Sequence, residues 1–144
     1  MKILHEHGHR TSGALAQWIL SHCPYLELDS PYSALGWGDE RRIVAGVLYD
    51  NFTRVAIDVH VAAVGKPWLP GFLRETFRYP FLQLGVRRLT AKVPALNLPS
   101  RRFVEALGFV LEGTVRKVLR DGNDCCIYGL LRSECRWLET PRRG

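Results

Sequence analysis

The spacing of apolar positions changes several times along the chain, and each change predicts a new element. Residues 13–23, GALAQWILSHC, place Leu15, Trp18, Ile19 and Cys23 on one helical stripe that Thr11 or Ser12 can cap and Pro24 stops. From Tyr32 the period shortens to two. YSALGW, RRIVAGVLYD and TRVAIDVHVAAV, separated by GDE and by a turn around Asn51, predict a three-stranded antiparallel meander. LPGFLRETFRYPFLQLG returns to helical spacing through Phe72, Phe77, Phe81 and Leu84, with Pro80 expected to kink or shorten the helix and Gly85 to end it. RRLTAKV is a strand, Pro99 to Leu107 a helix, and residues 110–134 two strands joined by an Asp121-Gly122 turn.

The order is helix, three strands, helix, strand, helix, two strands. A helix between the third and fourth strands makes those two candidates for a parallel pair reached by a right-handed crossover, within an otherwise antiparallel sheet. Such a pair can splay and leave a crevice at its carboxyl ends, where α/β sheets hold ligands.

Composition narrows this picture. A chain of 144 residues has room for one domain, 1–144, around one core, and 138–144 reads as a loose tail. At 47% hydrophobic and 24% charged residues, global disorder is excluded. No apolar run approaches the roughly 20 residues that cross a bilayer, and MKILHEHGHR lacks a signal-peptide core, so no membrane partner and a cytoplasmic location are expected. Cys125 and Cys126 would point to opposite faces of a strand, and with Cys23 and Cys135 they read as reduced thiols. His5, His7 and His9 alternate onto one face of an extended segment, but without a fourth ligand they do not define a zinc site.

Lys and Arg exceed Asp and Glu by 20 to 14, which favours an anionic partner. The arginine pairs lack an aromatic-interleaved basic motif, so nucleic acid is not the expected one.

Asn97, Ser100, Leu107-Gly108-Phe109, Glu112-Gly113 and Arg116 resemble the C-terminal half of the GNAT acetyltransferases, especially the branch that acetylates protein N-termini (the ribosomal-protein-alanine type). YPFLQLGVRRLTAKV is similar to that branch as well, and CIYGLLRSECRW resembles small GNAT-like proteins of bacteriophages. The resemblance covers about Ile43 to Trp137. It implies an α/β (α+β) GNAT fold, a mixed and mostly antiparallel central sheet flanked by helices with a splayed parallel pair. It also implies acetyl-CoA as cofactor and a protein or peptide amine as acceptor.

The family holds the CoA pyrophosphate on backbone N–H groups of a glycine-rich loop at a helix N-terminus. The equivalent stretch here is GKPWLPG, Gly65 to Gly71. Lys66 stands for the leading basic residue and Gly71 for the last glycine. Leu69 replaces the central glycine, and Pro67 and Pro70 have no N–H to offer. Trp68 can stack on an adenine or plug the core. The resemblance assigns Asn97 to the pantetheine arm, Arg101 or Arg102 to the 3′-phosphate end, and backbone N–H groups from Ala62 to Val64 to the oxyanion if the strand bulges. Where many members carry a tyrosine acid, this chain has Val104.

VAIDVHVAA places Ala56, Asp58, His60 and Ala62 on one strand face and Val55, Ile57, Val59 and Val61 on the other. Imidazole accepts a proton near neutrality, which makes His60, with Asp58, the candidate base. The alternative is a polar strand face in which both are hydrogen-bonded under a helix. Glu112 and Tyr128, on the last strands, can line the amine side or serve structure. The competing functional reading is a GNAT fold without catalysis, a binding protein or phage effector that grips a host or virion partner.

Overall fold

Residues 1–8, 13–28, 31–39, 41–64 and 70–138 are described by the computed structural model. The expected meander is β2 (Tyr32–Gly38), β3 (Ile43–Asp50) and β4 (Ala56–Ala63), and the later strands are β5 (Arg88–Pro94), β6 (Val110–Val115) and β7 (Cys125–Leu131). One strand was not expected. β1 (Lys2–Gly8) pairs antiparallel with β2, Lys2 opposite Gly38 and Gly8 opposite Tyr32. Its KILHEHG sequence has too few apolar residues to declare a strand, and the pairing comes from β2. The sheet runs β1-β2-β3-β4-β5-β7-β6, and β4–β5 is its parallel pair.

Helices cover both faces. α1 (Ala14–His22) packs Leu15, Ala16 and Ile19 on Ala34, Leu48 and Ala62. It sits close because Gly36 and Gly46, directly opposite each other in the β2–β3 register, leave room for Leu15 and Ile19; an added Cβ would meet them at 2.7 and 2.6 Å. The expected caps Thr11 and Ser12 lie outside the described residues. The N-cap position is Gly13, and the helix amides are satisfied from β1, where Glu6 Oε1 accepts the Leu15 N–H (3.0 Å) and Glu6 Oε2 that of Ala16 (2.9 Å). A carboxylate there also suits the positive end of the helix dipole.

On the opposite face, α2 (Pro70–Arg78) and α3 (Leu98–Leu107) bury Phe72, Phe77, Val104 and Leu107 against Val47, Tyr49, Ile57, Val59, Leu89 and Leu130. Pro80 does alter the helix as expected. It lacks the N–H that would bond the Thr76 carbonyl, the chain widens into a π turn over Tyr79–Gln83, and the buried Tyr49 hydroxyl donates to Thr76 O instead, at 2.6 Å.

Gly108, at φ 112°, ends α3 in the left-handed conformation and turns the chain so that Phe109 enters the core. The last carbonyls of α3 are taken up by later residues: Trp137 Nε1 donates to Leu107 O (2.9 Å) and the Arg136 guanidinium to Ala106 O. Leu138 closes a short 3-10 turn against the core rather than starting a tail, and 139–144 lie outside the described residues. The four cysteines are buried free thiols.

Replacing Tyr49 with Phe strands a buried carbonyl beside Pro80. Denaturant titration should show a loss of about 1–3 kcal/mol, the cost of an unsatisfied buried polar group.

Candidate functional site

The parallel pair β4–β5 stays in register from Ala56–Arg88 to Val59–Ala91, and the strands then part. Their outer edges remain held, β4 to β3 as far as Ala63 and β5 to β7 as far as Pro94. The gap therefore cannot close by sliding either strand inward.

Strand alternation decides what lines it. Val64 N–H bonds Val44 O on β3 and Val55 O accepts from Arg87 N on the β5 side, so the odd-numbered groups of β4 face the gap. Val61 and Ala63 N–H point into it. The β3–β4 register runs without a shift, so no bulge turns the Ala62 N–H away from β3, and the Val64 N–H is already engaged. Of the N–H groups expected as donors from Ala62 to Val64, the alternation leaves that of Ala63 facing the gap, with Val61 beside it, and turns those of Ala62 and Val64 to β3.

Two cavities meet at the gap. On the α2/α3 side a cavity of about 50 Å³ is walled by Val59, Val61, Leu73, Phe77, Val93 and Phe103. On the α1 side a cavity of about 210 Å³ is lined by Glu27, Asp50, Asn51, Asp58 and His60. Tyr25 and Lys92 line both. Burial pushes the Tyr25 phenol well up, helped by the neighbouring Cys23 and Cys125 thiols, and burial pushes the Cys23 thiol up as well. Both stay protonated near neutrality. The Cys23 thiol donates to Val61 O across 3.7 Å, on the gap side of β4.

His60 and Asp58 share a face, as the alternation predicted, but their partners differ. His60 is 5% exposed and its Nε2 donates to Asp50 Oδ1 at 2.9 Å; Asp50, 4% exposed, is the neighbour that sequence reasoning missed. An ionised carboxylate only accepts, so in a neutral imidazole bonded to one through Nε2 the lone pair lies on Nδ1. Nδ1 is buried and has no hydrogen-bond partner among the described residues. Asp58 instead accepts from Asn51 Nδ2 (2.8 Å) and pairs with Lys92 Nζ (3.3 Å). The signal for Asp50 was its position opposite Asp58, which puts it diagonal to His60 on the same sheet face.

The remaining expected residues scatter. Gly65, Lys66 and Trp68 lie outside the described residues. Gly71 sits in the first turn of α2, where an added Cβ would meet nothing within 4 Å. Asn97 caps α3, its Oδ1 accepting the Ser100 N–H at 3.2 Å. Arg101 is turned inward, donating to Tyr128 Oη (3.0 Å) and Ala95 O (3.3 Å), and so is not held out for a phosphate; Arg102 is exposed.

Tyr128 is buried beneath α3 and donates to Glu105, on the face away from the α1-side cavity. Glu112 is the bulged residue of β6, lying over Gly129 to bind Arg88 with both oxygens at 2.9 and 2.5 Å. Neither lines the α1-side cavity.

Parted parallel strands, a helix crossing over between them and a glycine-ended helix feeding the final hairpin define the GNAT fold. No protein-family model and no curated protein matches the chain. Solved structures do. It is similar to the spermidine N-acetyltransferase SpeG from Vibrio cholerae (TM-score 0.72, 14% identity, covering 95% of this chain and 96% of that one). It is also similar to a GNAT-family acetyltransferase from Bacillus anthracis (0.58, 22%, 72% and 67%). A probable acetyltransferase matches as well (0.61, 23%, covering 70% of this chain), and this chain spans 61% of its length.

The Arg88 guanidinium holds the Glu112 carboxyl below the usual range. A depressed carboxylate stabilises above its unfolded value and loses that contribution as pH falls through the folded one. Glu112→Gln should therefore cost about 0.2–1 kcal/mol at neutral pH, as for other half-exposed pairs. In paired denaturation curves the difference should vanish in acid.

Proposed function

We propose that the chain is an acetyl-CoA-dependent N-acetyltransferase, with the gap between β4 and β5 as its acyl site. The carrying observation is the His60 imidazole, oriented by the buried Asp50 and left with a free Nδ1 where the strands part. When bound, acetyl-CoA would supply an acetyl group activated as a thioester.

The residues present fit it at the acyl end: the inner cavity is apolar, and Val61 and Ala63 N–H point into the gap where a carbonyl oxygen acquires charge. At the phosphate end, the Gly71 amide in the first turn of α2 and the open space around it suit an anion, with Arg102 and the Gly65, Lys66 and Trp68 segment as further contacts, and Asn97 is kept for the pantetheine arm. Pro70 contributes no N–H there.

Amine enters from the α1 side. Glu27, Asp50 and Asp58 outnumber Lys92 in the lining of that cavity, even with Glu27 paired to Arg120 and Asp58 to Lys92, and this acidic surplus suits a cationic primary amine, which His60 Nδ1 deprotonates while Asp50 stabilises the imidazolium. Tyr25 faces both cavities, but burial makes its phenol a weaker acid than a thiol, so the leaving thiolate departs without an acid in the place where Val104 stands in α3 and takes its proton from solvent. A protein or peptide N-terminus and a small polyamine, the acceptor named for SpeG, both carry such an amine.

Titration calorimetry should give micromolar binding of acetyl-CoA and of its non-reactive desulfo analogue. His60→Ala should then lower kcat by about 10²–10⁴, the usual contribution of a general base, with cofactor affinity unchanged. Asp50→Asn should lower kcat in the same direction. Absence of binding at millimolar ligand would turn the reading to a fold kept for gripping a partner protein, and unchanged turnover in His60→Ala would remove the base.

A further inference from the structure

Among the described residues, Lys92 is the lysine that lines both cavities of the proposed acyl site. Val59–Ala91 is the last pair of the parallel ladder, so the next residues, His60 on β4 and Lys92 on β5, flank the point where the strands part. Both present their side chains to the α1 face: His60 lines the outer cavity, and Lys92 Nζ reaches Asp58 Oδ2, on the same face, at 3.3 Å. Lys92 also lines the inner apolar cavity, which His60 does not. It is half exposed, at 45%, and its four-carbon stem leaves the ammonium free to swing between Asp58 and the gap.

We propose that Lys92 is an intramolecular acetyl acceptor, modified by the protein's own site when acetyl-CoA is bound and no external amine is present. This rests on the acetyltransferase reading above. His60 Nδ1 takes a proton from the Nζ ammonium, and the amine nitrogen bonds to the acetyl carbon. The carbon–sulfur bond breaks, the thiolate is protonated to free CoA, and one proton is released per amide formed. The product has no charge for Asp58 to pair with, which leaves that carboxylate open to an incoming cation. Tethering the amine to the cavity that His60 also lines replaces a bimolecular encounter by a unimolecular one, so the modification is fast relative to lysines outside the site.

The test is to incubate the whole chain with acetyl-CoA alone and follow each lysine by peptide mass spectrometry, alongside calorimetric binding of acetyl-CoA. Lys92 should gain one acetyl group at a rate about 10²-fold or more above those of Lys2 and Lys117, the lower end of what a positioned general base supplies. That rate should not depend on protein concentration, and it should fall to background in His60→Ala. Lys92→Arg keeps the cation beside Asp58, should bind acetyl-CoA normally, and should lose the modification while Lys2 and Lys117 keep their background.

If acetyl-CoA binds but Lys92 reacts no faster than Lys2 and Lys117, or only in proportion to protein concentration, the proposal falls and the acetyltransferase reading stands. If acetyl-CoA does not bind, both fall.

Discussion

Two parallel strands that pair over four residues and then separate must leave backbone donors and acceptors without strand partners. In a protein interior such groups are costly unless something else satisfies them. β4 and β5 cannot relieve this by closing up, because β3 and β7 hold their outer edges along nearly their full length. The surrounding structure answers the constraint on one side only. Val61 O receives the Cys23 thiol, a weak donor at 3.7 Å, while the Val61 and Ala63 N–H groups face the gap. The two amides are the groups to which the proposed function assigns a carbonyl oxygen.

The two sides of that gap differ because β4 alternates. Ile57, Val59 and Val61 face the layer of α2 and α3, and Asp58, His60 and Ala62 face α1. A register slip of one residue would exchange the faces and put the imidazole in the apolar cavity. α1 is brought down by the Gly36–Gly46 pair and capped by Glu6, and the segment leaving it delivers the Cys23 thiol to Val61 O and Tyr25 to the place where the two cavities meet. A cap on the first strand thus bears on the site through the helix it anchors.

Features that depend on local chain geometry were readable from the sequence: the meander, the crossover that makes β4 and β5 parallel, the π turn's proline, and Gly108. Those that depend on which residues meet across strands were not. Asp50 was invisible as a partner of His60 because their relation is diagonal across β3 and β4 and requires the register. Glu6 reaches α1 from another element, and Glu112 reaches Arg88 over Gly129 through a bulge that the sequence does not announce. Arg101 looked like a rim cation, but its place in α3 above Tyr128 turns it inward. Val64, counted as a donor, spends its N–H on the sheet.

Buried ionisable pairs are poor structural investments, since well-packed apolar replacements are often more stable by about 1–4 kcal/mol. Arg88–Glu112 avoids most of that cost by remaining half exposed and satisfying both carboxylate oxygens. Asp50–His60 has no such exposure. Both residues are almost fully buried in strands that are otherwise Val, Leu and Ala, and the imidazole keeps an unsatisfied nitrogen worth a further penalty of about 1–3 kcal/mol. Packing alone would favour an apolar pair at those two positions. An oriented imidazole whose Nδ1 has no partner among the described residues, set beside the point where the strands part, is a cost that packing does not offset and that the general base proposed above would account for.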